Sequence, residues 1–270
     1  MKQKIGMAIL LIGLSAVALN LSSCRKAEQE DDQQFGIDQS TADALFSDQD
    51  NAVDEAANSI GLFKTNGTCP TVTFDTTSNP KVMTLDFGAT NCTGNDGKAR
   101  RGKIIVTWTG KYRQAGTVIT HSFDNFYQND NKIEGTKTVT NMGLNSSNNP
   151  SFSVVIANAK ITRTDGSSIS WSSTRTREWI AGSSTPGIQD DKYSITGGGS
   201  GVNKNGDSFT STITTPLIID FSCKYHLVSG VMEIVPNGKV KRTIDYGNGS
   251  CDDDAVLTVG KKTYNIKIKR

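Results

Sequence analysis

The chain has 270 residues, of which 35% are hydrophobic, 21% charged and 7% aromatic. This globular composition excludes a wholly disordered chain and a bundle of membrane helices. Formal charge is +2, and setting aside Lys2 and Lys4 of the first segment leaves 27 basic against 27 acidic side chains. That balance argues against polyanion binding and against nucleic acid as a partner.

Residues 1–23 combine a basic start, a 14-residue apolar stretch from Ile5 to Ala18 and a small-residue exit, Leu21-Ser22-Ser23, just before Cys24. This is the pattern of a signal peptide, too short for a spanning helix of about 20 residues. Leu-Ser-Ser-Cys resembles the lipobox of bacterial lipoproteins, in which the cysteine sulfur is acylated and becomes the first mature residue. The competing reading is an ordinary secretory signal followed by an incidental cysteine. Acyl chains contribute about 0.8 kcal/mol per buried CH2, so several on Cys24 would anchor the protein permanently. Arg25 stands where Asp would signal retention at the inner membrane, which the resemblance reads as the outer membrane. The run Glu28, Glu30, Asp31, Asp32 looks like an export tag for display at the cell surface; a plain solvated tether is the alternative. Residues 24–39 are in either case too polar to fold alone.

Residues 40–61 read as an amphipathic helix. Ala42, Leu45, Phe46, Val53, Ala56, Ala57 and Ile60 recur at spacings of three, four and seven, between Ser40 as N-cap and Gly61 as stop. Asp43, Asp48, Asp50, Asp54 and Glu55 take the other face. Residues 24–60 carry 2 basic and 10 acidic side chains, and residues 61–270 carry 25 and 17, so the two parts have charges of −8 and +8. A helix docked on the body would satisfy both fields, though a tether avoiding the membrane would look the same.

Residues 62–270 read as one all-β domain. Period-two alternation rich in Thr, Val, Ile and Ser marks runs at 104–112, 117–123, 133–139, 152–161, 168–180, 193–196, 208–219, 231–235, 240–246, 255–259 and 264–268. Asp165-Gly166, Asn205-Gly206 and Asn237-Gly238 between them suggest two-residue hairpin turns. The expectation is a large antiparallel meander, and more than ten strands should close into a barrel, curl into a half-barrel or fold into a sandwich. Besides Cys24 there are four cysteines, Cys69, Cys92, Cys223 and Cys251, an even count that suggests two disulfides in an exported chain. Three pairings are possible. The local one, Cys69 with Cys92 and Cys223 with Cys251, brackets one strand-turn-strand unit each. A zinc site would want Cys-x2-Cys spacing or nearby His, and neither is present.

Thr84-Leu85-Asp86-Phe87-Gly88-Ala89-Thr90-Asn91-Cys92 echoes Thr243-Ile244-Asp245-Tyr246-Gly247-Asn248-Gly249-Ser250-Cys251. We read two stapled hairpins, one opening and one closing the β body. These segments, with 92–97, 101–106, Glu134 to Asn141 and Thr174 to Trp179, resemble the blocks of a family of exported, β-rich bacterial outer-membrane lipoproteins. The family has no established activity, so the resemblance implies a location and no catalytic residue.

Gly97-Lys98-Ala99-Arg100-Arg101-Gly102-Lys103 matches a phosphate-binding loop only up to its lysine; Ile104 and a strand follow, so it reads as a basic turn. His121 and His226, the only histidines, lack a partner motif for a hydrolase triad or zinc hydrolase and read as structural. Asp190-Asp191 and Asp252-Asp253-Asp254 read as turn acids, and the latter lack the alternating spacing of calcium loops. Asp86 and Asp245 occupy equivalent places in the echo and read as turn-holding rather than glycosidic acids. No cofactor or metal is expected.

The most suggestive run is 169–179. Trp171, Arg175, Arg177 and Trp179 share one strand face, which suits a glycan, an anionic lipid headgroup or an outer-membrane protein. The plainer alternative has the indoles in the core and the Arg stems packed on them at its rim. Together these features point to a lipid-anchored, non-enzymatic binding or scaffolding protein. A half-barrel carrier of lipid or another apolar ligand, and an accessory subunit of an outer-membrane complex, are the alternatives.

Overall fold

A computed structural model describes residues 70–94, 97–185, 187–224 and 226–268, and every regular element in them is a β-strand. The expected leader, lipidated Cys24, tether and helix at 40–61, and Cys69, lie outside the described residues. The strands are β1 (Thr71–Asp75), β2 (Lys81–Asp86), β3 (Cys92–Thr93), β4 (Ala99–Trp108), β5 (Val118–Gln128), β6 (Asn131–Leu144) and β7 (Pro150–Thr162). Then come β8 (Ser168–Ala181), β9 (Lys192–Val202), β10 (Ser208–Asp220), β11 (Leu227–Pro236), β12 (Arg242–Asn248), β13 (Asp254–Val259) and β14 (Lys262–Lys267). They form one antiparallel sheet in chain order, interrupted only where the short β3 pairs with β4 off the main path. The sheet is open, because β1 and β14 end it without meeting. Closed barrel and two-sheet sandwich are thereby set aside, and an open antiparallel meander, with which a curled half-barrel is compatible, remains of the expected architecture.

The alternation of the sequence decides which face is which. One register row crosses the sheet through Thr107, Thr120, Thr138, Val155, Thr174, Gly198, Thr212, Glu233, Thr243 and Thr258, and none of these is buried. The opposite, inner face holds the core. Leu85, Ile104, Ile133, Ile234, Ile244 and Leu257 are completely inaccessible there, and the cluster to which they belong runs from β2 to β14. A second cluster (Val139, Phe152, Val154, Trp179, Tyr193) lies at one end of the central strands.

A single sheet buries one face by bending around it, and bulges with glycine kinks provide the bend. Register shifts interrupt most of the long pairings, among them β4 with β5, β6 with β7, β8 with β9 and β10 with β11. Gly135 on β6 shows why glycine is needed: φ is +114°, and a Cβ there would lie 2.7 Å from the Ala159 backbone on β7. Gly230 on β11 stands equally close to Leu217 on β10.

The turns differ from expectation. Arg163 to Ser167 and Asn203 to Asp207 are three-residue hairpins, in which the amides of Gly166 and Gly206 donate back to Arg163 and Asn203. Only the glycines have positive φ, whereas a two-residue type I′ loop would need it at both positions. The loop with two adjacent left-handed residues is Asn129-Asp130, between β5 and β6. Neither residue is glycine, which hid it.

The second staple forms as the local pairing requires. Cys223, in the β10–β11 turn, is bonded to Cys251, in the β12–β13 connection, with Cα atoms 5.4 Å apart. Cys92 is disulfide-bonded as well. The two echo segments have matching geometry. Asp86 accepts from the Gly88 amide at 2.8 Å and Asp245 from the Gly247 amide at 2.9 Å, with φ +81° and +88° at the two glycines. Leu85 and Ile244 point inward, as do Phe87 and Tyr246.

Candidate functional site

The run on β8 has the alternation its sequence suggests. Ile169, Trp171, Ser173, Arg175, Arg177 and Trp179 all face inward. Trp171 is 3% exposed and Trp179 5%, with the two half-buried arginines between them on the same strand. The indoles therefore belong to the core, and the arginines sit within the inner face rather than at its rim. Neighbouring β9 explains how such large groups fit. Gly197, Gly199 and Gly201 stand opposite Arg175, Ser173 and Trp171, and a Cβ on Gly201 would come within 2.8 Å of the Trp171 Cβ and 2.7 Å of the Phe209 ring.

At the far end of β8 the arginine is enclosed by aromatic rings. The Arg177 guanidinium lies 5.1 Å from both the Phe152 and Tyr193 ring centres and donates to the Tyr112 hydroxyl at 2.8 Å. Tyr112 belongs to the β4–β5 connection, which reaches across to stack on Phe152 at 5.2 Å. Its neighbour Arg113 sits 4.8 Å over Trp179 and donates to the carbonyls of Ser183 and Thr185. Guanidinium groups over aromatic faces gain from the ring quadrupole, the more so when partly desolvated. Asp191 completes this end. It is buried, contrary to its reading as a solvated turn acid, and accepts from the Tyr193 hydroxyl at 3.2 Å. Burial pushes the Asp191 carboxyl above the ordinary carboxylate range, and burial likewise raises the Tyr193 hydroxyl.

Sequence reasoning singled out only β8, and the structure adds residues from other strands. One inner register row reads Met83, Val106, His121, Lys137, Ile156, Ser173, Gly199, Ser211, Ile234, Arg242, Val259. His121, Lys137, Ser173, Ser211 and Arg242 in this row are buried. They form a polar belt across an otherwise apolar lining, with Arg175 one row along. The period-two signal marks Lys137 as inward, with the parity of Ile133 and Val139, and Arg242 with that of Ile244 and Tyr246; the cross-strand register then puts them in one row.

The remaining candidates have structural places. His226 is in a turn rather than on a strand, with φ +58° and its ring 4.7 Å from Phe221. The expected basic turn is strand from Ala99 onward: on β4, Arg101 lies 3.8 Å over the Tyr127 ring and pairs with Asp130, while Lys103 meets Asp86 at 3.1 Å. The Gly88 amide is the main reason the Asp86 carboxyl is held low. A cleft of about 370 Å³ beside the second staple is lined by Asp245, Asn248, Asp252, Asp254 and Asn265. Its carboxylates already hold the Gly247 and Asp254 amides and the Lys267 ammonium. Among the described residues no group of three or more His, Cys, Asp or Glu is placed to hold a metal ion.

No protein-family profile, curated protein sequence or solved structure matches this chain.

Proposed function

We propose that the chain is a lipid-anchored outer-membrane protein, displayed at the cell surface, that binds or scaffolds rather than catalyses. The observation that carries the non-enzymatic reading is the structural employment of its chemical groups. Both echo carboxylates hold turn amides, Asp191 accepts from Tyr193, and Arg177 is enclosed by Phe152, Tyr193 and Tyr112. Catalytic carboxylates and bases would instead face a substrate position. The anchor reading is supported by Leu21-Ser22-Ser23-Cys24 and the surface reading by the acidic run that follows.

The test is labelling with a palmitate analogue, followed by protease treatment of whole cells. Wild type is expected to label and to be degraded from outside, while Cys24→Ala persists as unlabelled precursor. Labelling of Cys24→Ala would overturn the anchor, and protection of wild type would place the body on the periplasmic side. The carrier reading is favoured by one specific observation, the apolar inner lining that continues from β2 to β14. It requires a co-purifying lipid, detectable by native mass spectrometry.

A further inference from the structure

Among the described residues neither a helix nor a second sheet lies on the inner face, and the charge of that face is one-sided. Arg100, His121, Lys137, Arg175, Arg177 and Arg242 occupy inward positions, whereas strand carboxylates such as Glu134, Glu178 and Glu233 fall on the outward parity. Asp191 is buried, but at the far end beside Tyr193. Each of the six basic or imidazole side chains is engaged in a polar, ring or electrostatic contact, and buried cations favour an anion close by. The Ser173 hydroxyl stands apart from them. Its residue is 6% exposed and faces inward, and the hydroxyl has no hydrogen-bond partner among the described residues. A buried hydroxyl without a partner costs free energy that an acceptor on a ligand would recover. Polarity is also graded along the strands. The inward row Ile133, Ile161, Ile169 is followed by Lys137, Ile156, Ser173 and then by Val139, Val154, Arg175.

We propose that this gradient holds a long-chain fatty acid, with its tail against Ile133, Ile161, Ile169 and Trp171 and its carboxylate among Lys137, Ser173 and Arg175. The inference rests on the carrier reading, whose cargo it names, and not on the lipid anchor. Charge complementarity selects an anion, and the lining selects its tail. Lys137 and Ser173 flank Ile156, so their backbones are about 10 Å apart, and Arg175 is one row further along, about 7 Å. Long side chains at two of these three positions can meet one small anion, which would accept from the Ser173 hydroxyl and from a cation together. The apolar stretch from Ile169 to Ser173 covers about 13 Å, close to the length of one lipid tail, about 15 Å or half of a bilayer core. Head size is limited by the β4–β5 connection, which closes the end beyond the arginines. Tyr112 there stacks on Phe152 and accepts from Arg177, and Arg113 lies over Trp179. That strap favours a compact carboxylate over a bulkier phospholipid head.

The test is native mass spectrometry of the full mature protein in non-ionic detergent, titrated with oleate or with oleyl alcohol, which has the same tail and no charge. Oleate should be retained at one per chain and at least about tenfold better than the alcohol, the difference a charge-assisted hydrogen bond supplies. A diazirine-bearing oleate should label peptides containing Ile133, Ile161, Ile169 or Trp171. Lys137→Met with Arg175→Met keeps long side chains without charge and should bring oleate down to the level of the alcohol; unchanged retention by this variant would overturn the proposal. Equal retention of the two probes by the wild type, or label confined to outward residues, overturns it without any variant having to fold. Tighter retention of lysophosphatidylglycerol than of oleate would assign the face to a phospholipid head and overturn it as well. Retention of none of these probes defeats the carrier reading itself, whereas binding of the alcohol as well as oleate defeats only the choice of cargo.

Discussion

Removing the Cys223–Cys251 bond tests whether the end of the sheet is held through the unfolded state. The bond closes a separation of 28 residues. In the chain-entropy account that restricts the unfolded chain by about 12 cal/mol/K, or about 3.6 kcal/mol at 25 °C. The native side should change little, because β11 pairs with β12 through Val231–Asp245, Met232–Ile244, Glu233–Thr243 and Ile234–Arg242 whether or not the bond exists. Cys223→Ala with Cys251→Ala is therefore expected to lower urea stability by about 3 to 4 kcal/mol, with an m-value that rises because the freed unfolded chain exposes more surface. For a body of some 200 residues that corresponds to a melting temperature roughly 10 °C lower. The measurement is urea unfolding of oxidised wild type beside the double variant. A loss under about 1 kcal/mol would refute the reasoning, since it would mean the unfolded chain gains no freedom from the cut.

The echo makes a paired prediction: Leu85→Ala and Ile244→Ala, both fully inaccessible, should each cost about 2 to 5 kcal/mol and agree within about 1 kcal/mol, checked by chemical denaturation. Gly135→Ala meets the Ala159 backbone at positive φ and should cost at least about 1 to 3 kcal/mol. Gly166→Ala, with nothing within 4 Å of its Cβ, should cost clearly less in the same melts. Burial raises the Asp191 carboxyl above its ordinary value of 3.8, so between that value and the higher folded one the native state holds a proton the unfolded chain has lost. Stability contributed by this group therefore falls as pH rises through the window. Asp191→Asn, which keeps an acceptor for Tyr193, should flatten that fall in melts from pH 4 upward, and an unchanged slope would refute it.

Much of the fold was legible because alternation is a backbone property: side chains two apart share a face whatever the tertiary contacts. Eleven strand runs and the shared face of Trp171, Arg175, Arg177 and Trp179 followed from it. What alternation misses is any strand without side chains to alternate. Gly197-Gly198-Gly199 hid the second half of β9, although a Cβ on any of them would collide with the backbone of β8 or β10, at Thr174, Ser211 and Ser172. Openness was not legible either, since bends depend on bulges such as those opposite Gly102 and Gly135, which are set by cross-strand pairing. The polar belt escaped for a related reason. His121, Lys137 and Arg242 are far apart in sequence, and only the register places them in one row.

The placing of the staples follows from openness. A sheet with two free edges frays from its ends, and those edges invite pairing with other chains. Here the central strands β6, β7, β8 and β10 have 13 or 14 residues, while β1, β2, β13 and β14 have 5 or 6. The end strands therefore have the fewest ladder bonds to resist opening. Bonded Cys92 lies on β3 opposite Arg100 of β4, and Cys251 in the connection between β12 and β13. Each echo turn is thus found where the sheet is weakest, with Asp86 or Asp245 fixing the chain direction just before the cysteine. Lys262 and Lys267 on the last strand add charge at an edge, and charge there opposes pairing with a second copy. The repeat is better explained by two similar edges needing similar reinforcement than by two copies of a site.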